Sequence, residues 1–165
     1  MQQLVIKMEI LKIPHMEKEE YDKLIAENHI SRIAFIGNDY PYVAPFLYVF
    51  DGHHLYFLST KYGKKIQYVQ RNPNVAVEIE EFSPDMSSYT FVTLLGRLTE
   101  INEEPKSTRI RKEFVNMIKT RNLSSNIIAA LGHSPAEPLE SIVNASRSLI
   151  WKLEAVKDIV ALKNV

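Results

Sequence analysis

The chain contains no cysteine among its 165 residues, which excludes disulfides, thiolate chemistry and any zinc or iron–sulfur centre held by thiolates. It has no excess of either charge. The 20 basic and 20 acidic side chains cancel, so no broad electrostatic surface is offered to nucleic acid or to an anionic membrane. An anion site has to be local. No apolar run approaches the roughly 20 residues that a membrane span needs, and the stretch MQQLVIKMEILKI carries lysines and lacks a signal-cleavage pattern. The expectation is a soluble, cytoplasmic protein with neither nucleic acid nor membrane as partner. Also missing are a Ser/His/Asp order, a nucleophile and paired carboxylates in an evident cleft, so chemistry would come from a cofactor that the protein positions.

What is present is 45% hydrophobic and 24% charged residues, enough for one globular domain over residues 1–165. There is no internal repeat, low-complexity tract or linker. Alternation begins at Arg32 in RIAFIG and the chain turns at NDYP. The run YVAPFLYVF then sets Tyr42, Ala44, Phe46, Tyr48 and Phe50 on one face and Val43, Pro45, Leu47 and Val49 on the other. Both faces are largely apolar, which predicts cover on both sides, and a symmetric pairing of two chains would supply what one small barrel leaves open. Asp51-Gly52 suits a hairpin turn before the strand LYFLST. Helical spacing takes over at Gly63, with Ile66 and Val69 on one face, and stops at Asn72-Pro73. Two more strands follow in NVAVEIEE and YTFVTLLGRLTEI.

A helix is predicted over 107–119, with Ile110, Phe114, Met117 and Ile118 as its apolar stripe. SSNIIAALG reads as a second short helix with Ser124 or Ser125 as cap and Gly132 as stop. HSPAEPLE reads as a loop, SLIWKLEAV as a last strand and KDIVALKNV as a tail. Five or six antiparallel strands with few helices would leave long unpaired edges in an open sheet. A mainly β, closed or nearly closed antiparallel barrel with peripheral helices is the expected architecture.

LSTKYGKKIQYV, from residue 58, holds the most informative chemistry. A helix start carries partial positive charge and favours acidic residues, yet Lys64 and Lys65 stand there, after Gly63 and close behind Ser59 and Thr60. Hydroxyls, backbone amides and ammonium groups thus converge within seven residues, as a phosphate requires. It is not a Walker A loop, which needs glycine where Leu58 stands and Ser or Thr where Lys65 stands. Spacing alone leaves two readings open, a phosphate site and two solvated surface lysines.

The segments YPYVAPFLYVFD, LYFLSTKYGKKIQYVQRNPNVAV and FVTLLGRLTEI together resemble the pyridoxamine 5′-phosphate oxidase-like family of flavin-binding split barrels, above all its nitroimidazole-resistance-type members. The resemblance covers residues 30–100 and implies a split β-barrel of about six strands that binds FMN at the interface of a homodimer. It implies the FMN phosphate at Ser59, Thr60, Gly63, Lys64 and Lys65, and the isoalloxazine ring along Val43, Ala44, Pro45, Phe46, Leu47 and Tyr48. It implies a looser match for the last strand, where Arg147 and Trp151 would reach the ring of the partner subunit. Pro45 agrees in physical terms, since a proline within a strand removes a ladder donor and belongs at an edge or beside a non-ladder partner; an ordinary edge strand meets that condition as well. The implied activity is an oxidoreductase that passes electrons from a nicotinamide or similar donor to a small oxidised molecule. The alternative is a non-catalytic module that binds or senses flavin, deazaflavin or haem. The family's true oxidases carry an arginine- and histidine-containing motif near the C-terminus for the substrate phosphate, whereas here NASRSLIWKLEAVKDIVALKNV has Arg147 and no histidine.

Other candidates have simpler roles. His53 and His54 share a turn, but neighbouring strand residues point to opposite faces and no carboxylates stand at ligand spacing, so surface positions are expected. His133 falls in a loop. Tyr42, Tyr48, Tyr56 and Tyr62 are expected to pack, as is Trp151, and Arg109, Arg111 and Lys112 to form a solvated helix face.

Overall fold

A computed structural model describes residues 10–144 and 147–165. Six strands close into one antiparallel barrel: β1 (Ile30–Phe35), β2 (Tyr42–Phe50), β3 (Leu55–Thr60), β4 (Asn74–Phe82), β5 (Tyr89–Glu100) and β6 (Ser148–Asn164), in the order β1-β2-β3-β6-β5-β4. The hairpin between β2 and β3 is fixed by Asp51, whose Oδ1 accepts from the backbone N–H groups of His53 and His54 at 2.9 and 2.7 Å and whose Oδ2 accepts from the Tyr56 hydroxyl at 3.0 Å. Among the described residues three α-helices decorate the barrel: α1 (Lys18–Glu27), α2 (Lys64–Arg71) and α3 (Lys106–Thr120), with 3-10 segments at Ser125–Leu131 and Leu139–Val143. Among the described residues no helix is long and apolar enough to cross a membrane.

The alternation of β2 divides two cores. Phe46 and Tyr48 turn inward with Phe35, Phe57, Val77, Val92 and Trp151 to fill the barrel. Val49, Tyr56, Leu58 and Ile150 turn outward and are covered by Ile110, Phe114 and Ile118 of α3 and by Ile128 and Ile142 of the 3-10 segments. The stripe expected on α3 is present and extends to Arg111 and Val115, both buried. Arg111 therefore departs from the solvated face predicted for it, while Arg109 and Lys112 are exposed as expected.

Three other elements differ from the sequence pattern. Helix α1 has only two buried side chains, Leu24 and Ile25, too few to show as a stripe. Contacts at its ends hold it: Glu20 accepts from the Glu17 N–H at 2.8 Å, and Arg121, just beyond α3, donates to the carbonyls of Glu27, Ala26 and Asn28 at 2.8, 3.2 and 3.3 Å. The segment 125–131 is 3-10 rather than α, although Ser124 caps it and Gly132, at φ 83°, ends it as read. The tail KDIVALKNV continues β6, because β5 is long enough to pair with it: Leu95 faces Asp158 and Tyr89 faces Asn164. A bulge between Leu95 and Arg97 joins the two halves of this ladder. Gly96 permits the close approach at this bulge, since a Cβ there would lie 2.9 Å from Leu153 Cδ1 and 3.0 Å from the Glu154 carbonyl oxygen.

Candidate functional site

A cleft of about 300 Å³ is lined by β2, β3 and the helical layer. Its body is apolar, formed by Pro45, Leu47, Leu58, Phe114, Ile118 and Ile142, and its polar end is Ser59, Thr60 and Lys65. Strand β3 delivers this polar end. All six of its residues are buried, so Ser59 and Thr60 are the point at which an apolar strand turns hydroxylated, at 1% and 5% exposure.

Gly63 then takes φ 101°, a backbone region that side chains resist, and α2 starts at Lys64. That turn folds Lys65 back onto the strand it has just left. Its Nζ donates to Thr60 Oγ1 at 2.9 Å and lies 3.5 Å from the Tyr62 carbonyl. No carboxylate pairs with it among the described residues. Burial pushes its ammonium below the ordinary lysine range, the signature of a cation held without a counter-charge.

Of the residues implied by sequence, the fold gathers Ala44, Pro45, Phe46, Leu47, Ser59, Thr60 and Lys65 on one cleft. Val43 is 56% exposed on the outer face of β2, and Lys64 is exposed at the start of α2. Tyr48 points into the barrel, where its hydroxyl donates to the Ile25 carbonyl at 2.6 Å and burial raises its pKa. Trp151 is likewise interior, with ring centroids 6.1 Å from Phe35 and 6.0 Å from Phe46. It packs the barrel, as one of the two expectations for it held. Arg147 bonds Glu137 at 3.0 Å and the Gly132 carbonyl at 3.2 Å, within the segment that leads into β6.

Residues 17–141 match the family model described as pyridoxamine 5′-phosphate oxidase. The chain belongs to that family. An uncharacterised protein of Rhizobium meliloti is 33% identical over 86 residues, which cover 52% of this chain and 56% of the relative, so the chain spans little more than half the length of the curated relative it matches. Among solved structures, a FAD-binding protein of Mesorhizobium loti superposes with TM-score 0.68 at 19% identity, over 93% of this chain and 99% of that one. A proposed 5-nitroimidazole antibiotic resistance protein of Bacteroides thetaiotaomicron gives 0.60 at 16% identity, over 92% and 90%. A haem storage protein of Vibrio cholerae gives 0.65 at 9% identity, over 88% and 94%. At these identities the likeness is one of fold.

In this member of the pyridoxamine 5′-phosphate oxidase family, the sequence pattern passes over the helical half of the cleft. Phe114 and Ile118 read only as a helix stripe, and Ile127, Leu131 and Ile142 carry no local signal for a wall. Their role depends on α3 and the 3-10 segments docking against β2 and β3, which no short-range pattern encodes. Among the described residues no histidine or carboxylate lines the cleft, and its titratable side chains are Lys65 and Tyr42.

Proposed function

We propose that this chain is an FMN-binding flavoprotein, an oxidoreductase that passes electrons from a nicotinamide or similar donor to a small oxidised molecule. The observation that carries the reading is Lys65, turned inward onto Thr60 without a carboxylate at the polar end of an apolar cleft. The donor set of hydroxyls, ammonium and glycine-turn amides fits a phosphate monoester, and the apolar body fits a flat ring. Bound FMN would supply hydride and electron transfer, and the chain's own residues would supply position and electrostatics. Thr60, Lys65 and Ser59 hold the phosphate, Gly63 opens the backbone to it, and Lys64 adds charge from the rim. Ala44, Pro45, Phe46 and Leu47 flank the ring and exclude water from one side of it.

The working unit proposed here is a homodimer with the flavin at its interface. A volume of about 300 Å³ stands at the lower end of ligand sites, and Val43 and Ile30 beside it are 56% and 50% exposed. On the outer face of the β5–β6 ladder, Leu95 and Val160 are 40% and 38% exposed and are available to a second copy. Light scattering should give about twice the 19.0 kDa chain mass; a monomer that still holds FMN would separate the site from the interface.

The alternative is a binding module without turnover. Haem is the poorer ligand for this cleft, because no histidine lines it among the described residues. Protein purified without added ligand should show flavin absorbance, and a colourless protein that also fails to bind added FMN would refute the cofactor. Anaerobic mixing with NADH and NADPH then decides the activity: bleaching of the flavin supports the oxidoreductase, and no bleaching by either, nor by a reduced deazaflavin, supports the module.

A further inference from the structure

Arg111 is 2% exposed and has no carboxylate within ion-pair distance among the described residues. Glu104 acts on it only at longer range. Its Nη1 donates to Ser148 Oγ at 2.7 Å and to the Ile142 carbonyl at 3.0 Å, and its Nη2 donates to the Ser148 carbonyl at 2.8 Å. Its Nε is buried with no hydrogen-bond partner. One anchor lines the cleft and the other stands behind it. Ile142 lines the cleft, and Ser148 is the direct cross-strand partner of Thr60.

Directly opposed residues of a ladder point to the same face, with Cβ atoms about 4.5–5.5 Å apart. The Ser148 and Thr60 hydroxyls therefore form one pair, on the outer face with Leu58 and Ile150. Lys65 donates to Thr60 from the α2 side, and Arg111 donates to Ser148 from the α3 side. Two cations thus converge on one pair of hydroxyls with no anion between them. A tie to two carbonyl-bearing elements needs only donors, which a neutral amide supplies without the cost of burying a charge. A guanidinium left uncompensated at this depth calls for an anion from outside the chain.

We propose that Arg111 is a positioning residue for the phosphate of the bound ligand: it holds Ser148 and Ile142 in place and places a permanent positive charge behind the Thr60–Lys65 cradle. This rests on the flavin mononucleotide reading and adds to it the group that makes the site selective for the phosphorylated flavin. Arg111 does not touch the ligand; it acts through Ser148 and through its field.

The test compares FMN with riboflavin, which lacks the phosphate, by fluorescence titration of the protein stripped of flavin. The wild type should prefer FMN. Arg111→Gln, which keeps an amide donor and loses the charge, should reduce that preference by about tenfold or more, equivalent to about 1.4 kcal/mol. Arg111→Lys, which keeps the charge, should retain it within about threefold. Equal losses for both flavins in Arg111→Gln would mean a structural tie only, and an unchanged preference would remove the role altogether. Should Arg111→Gln fail to fold, the Lys64→Ala/Lys65→Ala protein decides. It should keep a preference for FMN that is constant from pH 7 to 10, since a guanidinium does not titrate there, and equal binding of both flavins would overturn the proposal. A wild type that binds the two flavins equally refutes the cofactor reading itself, an outcome distinct from a normal wild type and an unchanged Arg111→Gln.

Discussion

Removing the Lys65 ammonium should have opposite effects on the protein with and without its ligand. Without ligand, burial already depresses the Lys65 pKa. For a base this means that the folded state holds the proton less well than the unfolded chain. The resulting cost is present below the folded pKa and is relieved as pH rises through it. Lys65→Met should therefore raise the melting temperature of the flavin-free protein near neutral pH, and the gain should shrink in alkaline solution. With FMN bound the sign reverses. A charge-assisted hydrogen bond contributes about 1.5–3 kcal/mol, and discounting for the half-buried position of Lys65 leaves the lower half of that range. The FMN dissociation constant should then rise about tenfold to thirtyfold, whereas that of riboflavin should change by less than about threefold. Titration of flavin fluorescence at two ionic strengths measures both, and thermal melts of flavin-free protein supply the other half. A Lys65→Met protein that is less stable without ligand, or that loses both flavins equally, would refute the account of Lys65 as an uncompensated cation waiting for a phosphate. Because an arriving phosphate pulls the Lys65 pKa back up, FMN affinity should also fall as pH rises through the depressed value, and riboflavin affinity should not.

Three further outcomes are expected. Pyridoxine 5′-phosphate incubated in air with FMN-loaded protein should yield no appreciable aldehyde, because a phosphorylated substrate needs its own cationic clamp for orientation and Arg147, the one arginine after α3's flanking Arg121, is bonded to Glu137; turnover at about 1 s⁻¹ or more would contradict this. Glu78→Gln should stabilise the protein at pH 7 and not at pH 3, since burial and the neighbouring Glu80 raise the Glu78 pKa against the pull of Arg32. A raised carboxyl gives stability that is whole below its unfolded pKa and lost as pH rises through the folded one, so a gain at pH 3 equal to that at pH 7 would show another cause. Gly96→Val should cost about 1–3 kcal/mol in urea melts, because the added atoms meet Leu153 and the Glu154 carbonyl at the bulge between β5 and β6; an unchanged midpoint would mean that the bulge relaxes freely.

Local periodicity by itself determined the first five strands, the turn at Asp51-Gly52, the stop at Asn72-Pro73 and the phosphate-like cluster, because alternation, turn residues and the run from Ser59 to Lys65 act over a few residues. The division of β2 into an inner face of Phe46 and Tyr48 and an outer face of Pro45 and Leu47 was legible for the same reason: successive side chains of a strand must point to opposite sides. Local pattern did not say which face would be barrel and which would be cleft. That choice was made when α3 docked against the outer face of β2, which put Phe114 and Ile118 into one core with Val49 and Leu58 and enclosed Arg111, a residue whose neighbours Arg109 and Lys112 stay in water. The inward position of the Tyr48 and Trp151 rings has the same kind of cause, since closure of the barrel turned both into its core. The extension of β6 through KDIVALKNV depended on a distant partner, β5, and on Gly96, which lets the two strands approach at the bulge. The chemistry of the cradle was thus written in seven consecutive residues, but its depth, its second cation and its apolar wall arise from contacts between residues far apart in the chain, where burial rather than sequence distance sets which charges remain without a partner.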